Sequence, residues 1–172
     1  MAFGDFGIYN DVPIKYDNVL TNYIGADEHV IVPDEVLAIG EGAFSGNDTV
    51  KRITLPKGLK RIQAHAFDNC FALEQIDMPE SLEYLGEAAF CGCRSLKSIV
   101  IPEGITSIRR RTFKRCVTIK TITLPASFDG ALVIEDADDA EITVRAQKNV
   151  IEKVKRNGSF EYNVKVKYEA IE

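Results

Sequence analysis

The chain has 172 residues, 45% of them hydrophobic, and a formal net charge of −5 at pH 7. Its length suits one elongated domain over 1–172, and its acidic balance gives no general reason to expect nucleic acid or an anionic membrane as partner. No run approaches the ~18 apolar residues of a spanning helix, and no cofactor-binding signature is present.

From Met1 to Asn10 there is no basic segment, and Gly4, Asp5 and Gly7 interrupt the apolar residues. This does not read as a signal peptide, so the expected location is cytoplasmic. The alternative is an extracellular or cell-surface location, if the chain is a trimmed piece of a longer secreted protein. Next, Val12-Pro13-Ile14-Lys15-Tyr16 and Val19-Leu20-Thr21-Asn22-Tyr23-Ile24 flank the turn pair Asp17-Asn18. These predict a small hairpin, and residues 1–29 are expected to form an N-terminal cap.

From Val30 a period takes over. Pro33, Pro56, Pro79, Pro102 and Pro125 stand 23 residues apart. Proline fixes φ and cannot donate to a ladder, so each marks the same corner of a repeating coil. A fixed period of this length predicts a solenoid, with four full repeats over 30–125. Three residues past each proline come Val36, Leu59, Leu82, Ile105 and Phe128; six past come Ile39, Ile62, Leu85 and Ile108. Then come Ala43-Phe44, Ala66-Phe67, Ala89-Phe90 and Thr112-Phe113, and after them Asn47, Cys70, Cys93 and Cys116. Each repeat closes on Ile53-x-Leu55-Pro56 or its equivalent, a period of two that predicts a short strand. A coil aims about seven apolar side chains inward, each contributing roughly 1.5–3 kcal/mol when buried. That offsets the coil's ordering entropy only if neighbouring coils cover it.

The run Leu73-x-x-Ile76-x-Met78-Pro79-x-x-Leu82-x-x-Leu85-Gly86-x-x-Ala89-Phe90-x-x-Cys93-x-x-Leu96 resembles the BspA-type leucine-rich repeat. The resemblance implies an α/β (β-rich) solenoid, a right-handed coil of 23-residue repeats with one parallel sheet. It departs from the commoner leucine-rich repeat in placing Gly58, Ser81 and Gly104 where a ladder asparagine would stand. Members of the family are mostly bacterial and protist proteins, many of them surface binders or adhesins, which implies binding or adhesion.

Residues 126–172 are expected to form a degenerate repeat and a C-terminal helix-strand cap. Ile142-Thr143-Val144 matches the strand position but arrives 20 residues after Ile122, three short. Residues 145–157 predict a helix with Ala146, Val150, Ile151 and Val154 on one stripe; Lys153, Lys155 and Arg156 complement its dipole, and Gly158 ends it. Phe160, Tyr162, Val164, Val166 and Tyr168 then alternate with polar residues, which predicts one half-buried strand whose lysines discourage edge pairing.

Alternation in the repeated strands leaves two outward columns as the candidate partner-binding face. One is His29, Arg52, Gln75, Ser98 and Thr121; the other is Ile31, Thr54, Asp77, Val100 and Thr123. Neighbours in each column stand about 4.8 Å apart. The repeats ending at Pro56, Pro79, Pro102 and Pro125 carry charges of −2, 0, −1 and +5. Arg109, Arg110, Arg111, Lys114 and Arg115 in the last of these form a candidate anion patch. Two readings stand: an acidic protein or glycan partner, or compensation by Asp129, Glu135, Asp136, Asp138, Asp139 and Glu141 in the next coil. Nucleic acid is disfavoured, because no aromatics interleave with the basic residues.

Three of four cysteines share a column, which suits small free thiols bonding weakly to a turn and has no natural disulfide pairing. Metal is not expected either: Cys91-x-Cys93 lacks a second pair, and His29 and His65 are remote in register. There is no phosphate loop or nucleophile elbow. His65 has no evident partner and Glu80 with Glu83 reads as a solvated turn, so no enzyme and no catalytic residue is expected. What remains is a protein-interaction scaffold, an adhesin-like or glycan-binding surface fragment, or a structural assembly module.

Overall fold

In the computed structural model, residues 7–9, 12–14, 18–137, 140–160 and 164–172 are described. Lys15, Tyr16 and Asp17 of the hairpin, Asp138 and Asp139, and Glu161, Tyr162 and Asn163 of the last alternation lie outside them, as does most of 1–10.

The expected hairpin pairs β2 (Val12–Ile14) antiparallel with β3 (Val19–Leu20), and β1 (Gly7–Tyr9) adds a further antiparallel strand. Asn18 enters β3 at φ 58°, a left-handed conformation that asparagine tolerates well.

Along the repeats two kinds of strand alternate. They are β4 (His29–Ile31) and β5 (Ala38–Ile39), β6 (Arg52–Thr54) and β7 (Arg61–Ile62), β8 (Gln75–Asp77) and β9 (Tyr84–Leu85), then β10 (Ser98–Val100) and β11 (Thr121–Thr123). Strands β4, β6 and β8 pair in parallel with Val30, Ile53 and Ile76 in register. β10 and β11 continue the same face, packed beside β8 without ladder pairing between β8 and β10.

The expectation of one parallel sheet needs correction. A second parallel ladder runs β3-β5-β7-β9, and the hairpin cap extends this ladder rather than the first. Its strands are two residues long, so period-two alternation had no length over which to show.

Between the second ladder and the next first-ladder strand, each coil makes a tight turn containing two left-handed residues four apart. They are Gly42 and Gly46, His65 and Asn69, Ala88 and Gly92, and Arg111 and Arg115. In this conformation the backbone N–H points along the solenoid axis to the following coil. Gly42 donates to Ala64 O, His65 to Glu87 O and Ala88 to Arg110 O; Gly46, Asn69 and Gly92 donate to Asp68 O, Cys91 O and Lys114 O. Backbone hydrogen bonds thus join the coils on three sides.

The core is one continuous cluster along the axis. Phe44, Phe67, Phe90 and Phe113 stack at centroid separations of 5.2, 5.2 and 6.0 Å. Tyr23 starts the stack at 5.0 Å from Phe44. It stands 21 residues before Phe44 rather than 23, so the period did not reveal it.

At the C-terminal end β12 (Val133–Ile134) leads to β13 (Glu141–Ala146), then α1 (Lys148–Asn157), β14 (Ser159–Phe160) and β15 (Lys165–Ala170). Ile122 pairs with Val144, not Ile142, so this coil is one residue short rather than three. A two-residue shift keeps the same faces inward, and Ile142, Val144 and Ala146 are all buried. Ala146 therefore belongs to the strand, not to the helix. Val150, Ile151 and Val154 form the buried helix stripe as expected, and Gly158 N–H closes the helix on Val154 O at 2.7 Å. A Cβ at Gly158 would lie 2.6 Å from that same oxygen. The predicted single final strand is two: β14 pairs with β12 in the second type of ladder, and β15 pairs with β13 in the first.

Candidate binding face and the basic turn

The first ladder exposes the two columns read from alternation. Side chains at both ends of β4, β6, β8 and β10 face solvent around a buried centre, while Thr121 and Thr123 of β11 are half-covered. The registers place His29, Arg52 and Gln75 in one row, Ile31, Thr54 and Asp77 in the other, and continue Ser98 to Thr121 and Val100 to Thr123. Two apolar side chains stand out: Ile31 is 69% exposed and Val100 61%. Polar contacts within the central face are few. His29 Nε2 lies 3.0 Å from Thr54 Oγ1, and Gln75 Nε2 donates to Asp77 Oδ2 at 3.0 Å.

The face extends beyond the expected ten residues. Pairing adds Thr143 and Arg145 from β13, then Lys165, Lys167 and Glu169 from β15. Reading Ile142 as the register residue had hidden this continuation. The added strands are richly ion-paired: Arg145 meets Glu169 at 3.2 Å, and Lys165 and Lys167 flank Glu141 at 3.8 and 3.7 Å. Where Val100 and Thr123 meet the proline corners, a hollow of about 230 Å³ opens, lined also by Glu103, Gln147 and Ile171. Glu103 lies below the usual carboxylate range because its oxygens accept Ala126 and Ser127 N–H groups at 3.0 and 3.1 Å.

The basic turn of the fourth repeat is divided by the structure. Lys114 and Arg115 both reach Asp136 Oδ2, at 3.0 and 3.5 Å. Arg111 N–H donates to Glu135 Oε2 at 3.2 Å and Arg115 N–H to Glu135 O at 3.0 Å. These are the left-handed donors that earlier turns satisfy with the next turn's carbonyls, so the Glu135 carboxylate takes the place of a missing carbonyl at Arg111. Arg109 stacks over Tyr84, 4.9 Å from the ring centroid. Among the described residues no carboxylate pairs with the side chains of Arg109, Arg110 or Arg111. Glu135 and Asp136 carry the compensation seen here, and Asp129 instead pairs with Lys153 of α1 at 2.6 Å.

Beside this turn lies a column that alternation could not reveal. Phe71, Arg94 and Val117 stand 23 residues apart on an outer bend, with Phe71 41% and Val117 40% exposed. The Arg94 guanidinium sits 5.0 Å above the Phe71 ring, and Arg94, Arg115, Val117 and Asp136 line a hollow of about 340 Å³. Their common interval was available in the sequence, but mixed chemistry disguised it.

The cysteine column is buried in the turns. Cys70, Cys93 and Cys116 donate Sγ–H to Phe44, Phe67 and Phe90 O at 3.1, 3.2 and 3.1 Å. Asn47 heads the column by donating to Gly25 O at 3.1 Å. Burial pushes the Cys70 thiol up to about 12 and that of half-exposed Cys91 up to about 11; Cys93 and Cys116 are raised by the same cause. Raised thiols are poor nucleophiles and poor metal ligands at neutral pH. His65 does have a neighbour, Asp68 Oδ2 at 3.2 Å from Nδ1, but both sit on an open turn. Glu83 pairs with Lys60 at 2.6 Å.

Parallel strands stacked at a 23-residue interval around an aromatic spine define a leucine-rich repeat solenoid. The chain belongs to the BspA type leucine rich repeat family, whose model matches six copies over residues 22–131. It is similar to a leucine rich cell surface protein from Faecalibacterium prausnitzii, at 25% identity and a TM-score of 0.69 over 91% of this chain and 40% of that one. The pneumococcal vaccine antigen PcpA is similar at 21% identity and a TM-score of 0.67, over 97% and 48%. A leucine rich repeat protein of T. pallidum matches at 19% and 0.55, over 89% and 94%. The chain spans less than half the length of the first two. No curated protein matches it. Among the described residues no helix is long and apolar enough to cross a membrane.

Proposed function

We propose that this chain is a non-catalytic scaffold that binds a protein partner through the outward face of the first ladder. The observation that carries this reading is the contrast along that face. From β4 to β10 its side chains are exposed and make few contacts with one another, and Ile31 and Val100 offer apolar area. Elsewhere ion pairs join neighbouring coils, as in Lys51–Glu28, Lys60–Glu83 and Lys97–Glu74. Extended strand faces of this kind suit a partner that spans several repeats. The ten residues from His29 to Thr123 form the proposed contact surface. Arg109, Arg110 and Arg111 form a second, smaller surface suited to an acidic protein or glycan, and nucleic acid is disfavoured.

The test is partner capture with the chain as bait, comparing Ile31→Glu/Val100→Glu with Arg110→Glu. Loss with the first pair and retention with the second supports the strand face; the reverse moves the site to the basic turn. Retention with both refutes the two surfaces together.

A surface-located, adhesin-like role is the second reading. It is favoured by the description of one similar structure as a cell surface protein and of another as a vaccine antigen. Protease treatment of intact cells expressing the native gene separates this location from the cytoplasmic one: cleavage supports it, and protection until lysis removes it.

A further inference from the structure

The C-terminal coil covers its apolar side chains less fully than the middle coils do. Among the described residues, Phe160, Val164, Val166 and Tyr168 of this coil are only partly buried where they pack against the core. Among the described residues β15 is also the edge of its sheet, in the order β10-β11-β13-β15. Lys165 N–H donates to Ala140 O and Ile171 N–H to Ala146 O, so odd-numbered residues turn their backbone groups toward β13. Val166, Tyr168 and Ala170 therefore turn theirs to the open side. Among the described residues, this six-residue strand leaves three N–H and three C=O groups without a ladder partner, beside the half-buried Val166 and Tyr168, and so forms a pairing edge.

We propose that this edge pairs antiparallel with β15 of a second copy of the chain. The charge order selects both the occupant and the register. In an antiparallel twofold pair, residues with outward backbone groups must face one another, which leaves two central registers. If Lys167 faces the partner's Lys167, like charges oppose at the closest approach. Moving by one pair sets Tyr168 against the partner's Tyr168 and Val166 against the partner's Ala170. Lys167 then faces the partner's Glu169, and Glu169 faces the partner's Lys167. Opposite charges directly across strands stabilise and like charges destabilise. The lysines of this edge thus reject other strands while the Lys167/Glu169 alternation accepts its own copy. The half-covered Val166 and Tyr168 continue the inward rows of Ile142 and Val144 across the join. This inference is separate from the strand-face reading, because it rests on the backbone edge of β15 and on none of the ten residues of the proposed contact surface.

Sedimentation equilibrium from about 1 to 500 µM tests it. The expected result is a dimer of the 19.1 kDa chain. Lys167→Glu and Glu169→Lys should each weaken dimerisation by about tenfold or more, since each turns both cross-strand pairs into like charges. Mixing these two single variants should restore association as a heterodimer, because every pair between them is then of opposite sign. A wild-type chain that stays monomeric throughout, or mixed variants that associate no better than either alone, overturns the proposal. Circular dichroism of each variant confirms that its fold is kept.

Discussion

The middle coils and the C-terminal end solve one problem by different means. Between Pro33 and Pro125 each coil is held by the next coil's backbone: the left-handed turn residues donate forward, and each phenylalanine lies on another. After Pro125 no further turn with two such residues four apart occurs among the described residues. Individual side chains take over, with Glu135 accepting Arg111 N–H, Asp136 holding Lys114 and Arg115, and Asp129 tying down α1 through Lys153. Repetition makes the middle insensitive to the identity of any one polar side chain. The end depends on a few.

Core truncation should separate the two regions most widely. Phe67→Ala, fully buried in mid-stack, is expected to cost about 3–5 kcal/mol. Phe160→Ala, only partly buried, should cost about 1–2 kcal/mol. Urea midpoints measure both, and equal losses would mean the end is packed as tightly as the middle. Next in size, Glu135→Ala leaves Arg111 N–H without its carboxylate and should cost about 1–2 kcal/mol. Glu41→Ala, on an exposed middle turn, should stay within about 0.5 kcal/mol.

The thiols give a pH signature of the middle alone. Folded Cys70 holds its proton to about 12 against an ordinary value of 9.0. The stability contributed by Cys70 is therefore fully present below pH 9.0 and is lost as pH rises toward 12, because the unfolded thiol releases a proton that the folded one keeps. Replacing Cys70, Cys93 and Cys116 by Ala should flatten this fall relative to wild type, measured as the urea midpoint between about pH 8 and 11. An unchanged slope would show that other groups govern it. A modest effect of the opposite sign should come from Arg111→Gly. This substitution keeps the N–H that meets Glu135, relieves a left-handed non-glycine residue, and should stabilise by about 0.5–1 kcal/mol.

The same contrast governs what could be read in advance. Proline spacing set the inward and outward columns of the middle coils, so Ile53, Phe67, Cys93 and the ten face residues stand where the register put them. The second ladder escaped because two residues at Arg61–Ile62 are too few to show alternation. Tyr23 escaped because its interval to Phe44 is 21 residues, and the face beyond Thr123 because Ile142 and Val144 are equally good strand residues. The Glu135 cap was invisible for a deeper reason. Its role is set by which donor the preceding turn leaves open, a property of the folded turn at Arg111 and not of any local pattern. How the basic run divides between Asp136 and solvent depends on the same geometry.

The thiol column has one more consequence. Cys70, Cys93 and Cys116 sit one per coil in consecutive coils, each closed off by the turn that covers it. They act as mileposts along the rod. If the solenoid frays from the α1 end, a pulse of alkylating reagent marks Cys116 first, Cys93 later and Cys70 last; a single cooperative opening marks all three together. The chain carries its own record of where it comes undone.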